Sequence, residues 1–292
     1  MAVATSVLRV AGAPALAAYR DSPARAGTAG TILYYHGFGG GKEDARDALV
    51  ALAEAGFLAV GLDNVGHGER RLPDFGRRFA GLGPGPELEA GFLALVRATA
   101  REVPTVLDDL LARGLARPDH LGVAGWSMGG FVAYAAVVAD PRLRAAAPLL
   151  GAPAWRLPWP ESPHRHLERF FPTALLSQTA AGDRRVPPQA TKHFHAALAA
   201  YYAGAPERLR YVEYPGVGHD VPADVASAMR QRHAPAHGRL VPAASHLTWC
   251  TAPQTTARAA SHRPIPTARC AQRRVPSSGE VHDVVPGLRE VP

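Results

Sequence analysis

Residues 121–130 leave this chain few folds to choose from. A short apolar run, Leu121 to Ala124, reads as a buried strand and leads straight into Gly125-Trp126-Ser127-Met128-Gly129. Helix-favouring residues follow from Phe131 to Ala139. A strand that turns into a helix through G-x-S-x-G holds its serine at the crest of a sharp, strained turn. The flanking glycines are there for steric reasons, since side chains beside such a turn would collide. The N–H groups after the serine lie at a helix start, where negative charge is favoured. Ser127 is therefore expected to be a nucleophile.

The neighbouring segments supply a sheet for that elbow. Residues 5–20 carry two short apolar runs around Gly12 and Pro14, read as a hairpin at a sheet edge. Thr31 to His36 is a strand ending in the glycine-rich Gly37-Phe38-Gly39-Gly40-Gly41, and Lys42 to Ala55 has helical spacing. Phe57 to Leu62 is the next buried strand, followed by Asp63 and the turn Gly66-His67-Gly68. Strand, helix, strand at this spacing implies a parallel sheet. Residues 69–85 read as irregular. From about Pro86 to Arg113 a long helical pattern runs, with Pro104 expected to kink or split it. Further strands are expected at Arg144–Leu150, Thr173–Thr179 and Leu209–Tyr214, with a helix over Pro187–Ala203 and another starting at Val221. The fold class expected is α/β, a mostly parallel central sheet with helices on both faces.

A serine hydroxyl needs a base to take its proton, and the base needs a partner to orient it. Both should lie in loops beyond the later strands. Among thirteen histidines, His219 follows the last strand and precedes the Val221 helix. His193 and His195 fall on a helix, where histidines are usually solvated, and His36 and His67 belong to turns before the elbow. For the acid, Asp183 leaves the strand at 173–179, whereas Asp220 is expected to cap the helix after it. Asp63 precedes the serine and is expected to pin the Gly66-His67-Gly68 turn.

The order Ser127, Asp183, His219 resembles that of the α/β-hydrolases, and the likeness covers nearly all of residues 5–232. His36-Gly37-Phe38-Gly39-Gly40 resembles the oxyanion loop of that superfamily, and Asp183 to Pro187 its acid loop. Within it the chain is similar to the small bacterial esterases grouped with dienelactone hydrolases and prolyl oligopeptidase-like enzymes, which Gly37–Gly41 and Arg70-Arg71 also resemble. Dienelactone hydrolases proper use cysteine where Ser127 stands. The resemblance implies a serine carboxylesterase whose oxyanion is held by the backbone N–H groups of Phe38 and Met128. It also implies a short lid over residues 152–172, where Trp155 and Trp159 are candidate substrate-binding residues beside Phe170 and Phe171. The alternatives are a prolyl oligopeptidase-like peptidase and an inactive binding protein with the same fold.

Composition narrows the rest. The net charge is +7, of which +4 comes from seven arginines against three acids in residues 233–292, so no basic stripe points to nucleic acid. No apolar run is long enough to span a membrane, and no basic segment precedes an apolar one at the N-terminus. A cytoplasmic location is expected. Neither metal nor cofactor is expected: the histidines lack ligand spacing, and the two cysteines, Cys250 and Cys270, form no motif. Gly37 to Lys42 lacks phosphate-loop spacing, with Glu43 where a hydroxyl residue belongs. The partner expected is a small ester, with oligomeric state left open. From residue 233 periodicity stops and eight prolines appear in sixty residues. We therefore expect a catalytic domain over 1–232 and a low-order tail over 233–292, either native disorder or the product of a shifted reading frame.

Overall fold

A computed structural model of the protein describes residues 2–80 and 85–221. The helix expected from Val221, the boundary at 232 and the tail lie outside the described residues.

One sheet of eight strands carries the structure, in the order β1-β2-β4-β3-β5-β6-β7-β8. The strands are β1 (Ala4–Val10), β2 (Ala13–Tyr19), β3 (Thr31–Tyr35), β4 (Leu58–Leu62), β5 (Leu121–Trp126), β6 (Ala145–Leu149), β7 (Ala174–Ala180) and β8 (Leu209–Tyr214). The β1–β2 hairpin is antiparallel and joins β4 antiparallel; every pairing from β4 through β3 to β8 is parallel. Parallel strands covered on both faces must be apolar throughout. Accordingly β3, β4, β6 and β7 are buried at every position, while the outermost strands β1 and β8 are largely half-buried or exposed.

Six helices of the described residues pack around the sheet: α1 (Pro23–Ala29), α2 (Arg46–Glu54), α3 (Phe75–Ala80), α4 (Pro86–Ala112), α5 (Met128–Ala139) and α6 (Gln189–Leu198). Helix α4 buries Leu93, Val96, Ala100, Val103, Leu107 and Leu110, one stripe at alternating spacings of three and four. It continues through Pro104 as a single helix, because this tertiary stripe outweighs the one backbone bond that proline cannot make. Arg142 also anchors this stretch of the helix, donating to the Pro104 carbonyl at 3.2 Å. Helices α1 and α3 were not expected, and the helix expected over 187–203 is shorter, ending at Leu198. Between β6 and β7 only two short 3₁₀ turns form, Pro163–Arg165 and Leu167–Arg169.

The chain first adds β4 on one side of β3 and then crosses to add β5 on the other. The strand order therefore reverses between β3 and β5, which is where an open parallel sheet leaves a crevice beyond its carboxyl ends. In that pair Tyr35 is opposite Gly125, so the loop after Tyr35 and the turn after Trp126 emerge side by side.

A buried histidine in this fold makes it acid-sensitive. His195 was expected to be solvated, yet it lies inside α6 against β7. Tyr134 donates to Ser177 Oγ at 2.6 Å, which leaves the Ser177 hydrogen for His195 Nε2 at 2.7 Å. Burial pushes the His195 imidazole down to about 4, and does the same to His67. The unfolded chain would take up these protons near pH 6.5, so stability is complete above that pH and is lost as pH falls towards 4. We predict that Tm declines through this window and that His195→Gln, which still accepts from Ser177 but does not titrate, flattens the decline. An unchanged slope in that variant would remove His195 from the explanation.

Candidate active site

Ser127 sits between β5 and α5 with φ +53 and ψ −111, a left-handed backbone for a residue with a side chain. Such strain persists only where packing enforces it. A Cβ on Gly125 would strike the Gly129 backbone, and one on Gly129 would strike the Tyr35 carbonyl. The two glycines let α5 start directly over β3 and β5. The Ser127 N–H donates to Leu149 O at 2.8 Å, fixing the turn to the end of β6.

The histidine arrives from three strands away, beyond β8. Strands β7 and β8 pair in register up to Ala180 opposite Tyr214, and the loops beyond them stay together. Ala181 donates to Tyr214 O at 3.0 Å and Gly182 to Val217 O at 2.8 Å. This brings His219 beside Asp183, with Asp183 Oδ2 2.7 Å from His219 Nδ1. On the far side of the ring, His219 Nε2 is 2.9 Å from Ser127 Oγ. Asp183 is fully held: its other oxygen accepts from the N–H groups of Arg185 at 2.9 Å and Val186 at 2.8 Å. The neighbouring carboxylate points elsewhere, since both oxygens of Asp220 are gripped by Arg185 at 2.9 and 2.8 Å.

The glycine-rich loop after β3 is braced from below. Asp63 Oδ1 accepts from the Lys42 N–H at 2.7 Å and Oδ2 from the Glu69 N–H at 2.9 Å, joining this loop to the turn after β4. Gly68, at φ +54, leaves no room for a Cβ because the Asp63 carboxylate occupies that space. His36 Nε2 accepts from the Asn64 N–H at 3.0 Å; burial lowers its pKa, which keeps that nitrogen an acceptor. The Lys42 ammonium is wholly buried, 2.6 Å from Glu69, 2.8 Å from Glu43 and 3.5 Å from Asp63. Burial alone would lower its pKa, but the hydrogen bonds to Glu43 and Glu69 and the Asp63 charge raise it above the usual lysine value. Arg71 completes the brace, donating to Gly39 O at 2.9 Å while its guanidinium lies 4.1 Å above the Phe75 ring. The N–H groups of Phe38 and Met128 donate to no protein acceptor among the described residues.

Trp155 is buried, 5% exposed, in the main core, with its edge against Trp159. Trp159 in turn lies under Arg97 at 4.7 Å, and Glu161 takes Arg101 at 2.6 Å. These contacts pin residues 155–161 to α4. Sequence reasoning missed a cluster beside the glycine-rich loop, in which the Phe38 ring meets His67, Phe75, Phe79 and Phe92. The only trace of it in the sequence is the spacing of Phe75 and Phe79, one helical turn apart.

A family model described as serine aminopeptidase, S33, matches residues 26–203. The chain belongs to this family. A serine hydrolase of the α/β-hydrolase fold, it is also similar to a relative from Bacillus subtilis (strain 168) named "Putative esterase YitV", 26% identical over 220 residues, 65% of this chain and 83% of that one. The fold recurs in TT1662 from Thermus thermophilus, with TM-score 0.63 and 24% identity over 78% of this chain and 97% of the other. It recurs as well in the Klebsiella pneumoniae subsp. pneumoniae MGH 78578 structure named "Putative Dienelactone Hydrolase", with TM-score 0.56 and 18% identity over 80% of this chain and 97% of the other. None of the helices among the described residues is long and apolar enough to cross a membrane.

Proposed function

We propose that this hydrolase cleaves carboxylic esters through an acyl-enzyme on Ser127. The observation that carries the reading is the unbroken run from Ser127 Oγ through the His219 ring to Asp183, with spacings of 2.9 and 2.7 Å, on a serine at φ +53. His219 Nε2 takes the Ser127 proton as Oγ attacks the carbonyl carbon. Asp183 accepts from Nδ1–H, fixing the tautomer and stabilising the imidazolium. The carbonyl oxygen, now an oxyanion, is received by the N–H groups of Phe38 and Met128, each worth about 3 kcal/mol to the transition state. His219 returns its proton to the leaving alcohol, the tetrahedral species collapses to the acyl-Ser127 ester, and water repeats the sequence to release the acid.

The family description favours a second reading, an aminopeptidase, which would need a carboxylate to receive the free ammonium of its substrate. Among the described residues, three carboxylates on the loops around Ser127 are already engaged: Asp183 by three donors, Asp220 by Arg185, and Asp63 by two N–H groups and Lys42. The relative's name also supports an ester substrate. The test is kcat/KM for p-nitrophenyl acetate against alanine and proline p-nitroanilides. We expect the ester to be favoured by an order of magnitude or more. Comparable cleavage of an anilide would favour the aminopeptidase, and no turnover of either would favour a binding protein.

A further inference from the structure

We infer that the substrate carries a flat aromatic ring next to its scissile ester, and that Phe38, Phe92 and Phe131 receive that ring. The inference rests on the ester-hydrolase reading above. Phe131 stands one helical turn beyond Ser127, and its N–H donates to Ser127 O at 3.2 Å. Helical side chains lean towards the N-terminus of their helix, so its ring leans back towards the serine. Phe92 of α4 meets the Phe131 ring edge to face, with centroids 5.1 Å apart, and meets Phe38 at 5.6 Å. An aromatic chain thus links the helix of the nucleophile to the loop that bears the Phe38 N–H.

Two features separate this chain of rings from ordinary core. Phe75, Phe79 and His67 are the core part, at 5%, 8% and 0% exposure, and they support Phe38 from behind. Phe38 itself remains 36% exposed, one of only four large hydrophobic side chains so exposed among the described residues. Phe92 and Phe131 are half-buried. Open aromatic surface at a proposed reaction centre marks a ligand site more often than chance exposure does. The contacts are also geometrically selective: the Phe38–Phe79, Phe38–Phe92 and Phe92–Phe131 pairs are edge to face. Rings in that arrangement discriminate a further planar ring from a puckered one of the same size.

Matched esters test this directly. On the acyl side methyl phenylacetate is compared with methyl cyclohexylacetate, and on the alcohol side benzyl acetate with cyclohexylmethyl acetate, with ethyl acetate as reference. On at least one side we expect the aryl ester to exceed its saturated partner in kcat/KM by about three- to tenfold, the size of one edge-to-face contact. Phe92→Leu and Phe131→Leu, which retain apolar volume, should bring that ratio close to one, mainly by raising KM for the aryl ester. Tyr201→Leu, at an exposed ring remote from this aromatic series in the contacts described, should leave the ratio unchanged. Ratios near one on both sides in the wild type, with ethyl acetate still hydrolysed, would overturn the inference and leave the ester reading standing. Variants that keep the wild-type ratio would overturn it too. Failure to hydrolyse any ester would bring down both.

Discussion

Ser127→Ala is expected to lower kcat for ester hydrolysis by about 10⁴- to 10⁶-fold with little change in Tm. The substitution removes only the oxygen that His219 meets at 2.9 Å. Everything that holds the elbow is backbone: the Ser127 N–H on Leu149 O, and Gly125 and Gly129 against their neighbours. An alanine meets the same φ +53 strain as the serine, so the fold should not register the change. Far-UV dichroism and thermal unfolding of the variant separate the two effects. Turnover within tenfold of wild type in a folded Ser127→Ala protein would show that the reaction uses another nucleophile.

The second large effect concerns the acid. Asp183→Asn should lower kcat by about 10⁴-fold, because an amide nitrogen facing Nδ1 favours the imidazole tautomer whose Nε2 cannot accept the serine proton. Asp220 is the natural control, lying next in sequence to the histidine. It is 81% exposed at its side chain and paired with an exposed Arg185, a kind of ion pair worth little to stability. Asp220→Asn should therefore leave kcat within a few-fold of wild type. Steady-state kinetics of the two variants at one pH decides the matter. The opposite ranking would assign the acid to Asp220.

Much of the scaffold could be read from the chain because central strands buried on both faces leave an unmistakable record. Thr31–Tyr35, Leu58–Leu62 and Leu121–Trp126 are apolar runs of five or six residues, and glycine-rich turns punctuate them. The elbow was legible for a different reason: Gly125 and Gly129 are dictated by backbone approaches that admit no side chain. Ser127, Asp183 and His219 could be named as candidates since each follows a strand, and loops after parallel strands share one end of the sheet.

Other features were hidden for definite physical reasons. Helix α3 is six residues long, too short to display a period, and sits in a segment rich in Arg, Gly and Pro. Pro104 reads as a helix breaker, yet α4 is long enough for its buried stripe to override one missing bond. His195 reads as a surface histidine because its partner Ser177, and the Tyr134 that donates to Ser177, come from a strand and a helix elsewhere in the sequence. The aromatic cluster has the same origin, as Phe38, Phe75, Phe92 and Phe131 meet only once β3, α3, α4 and α5 have packed.

The central claim, that Ser127 is the acyl-accepting nucleophile, is tested most directly by covalent labelling. A fluorophosphonate carrying a small alkyl group, added to the wild-type protein, should attach one equivalent and abolish ester turnover in step with labelling. Intact-mass and peptide analysis should place the adduct on Ser127, and Ser127→Ala should remain unlabelled. An adduct on any other residue that tracks the loss of activity, or full ester turnover in protein that never labels, would contradict the account.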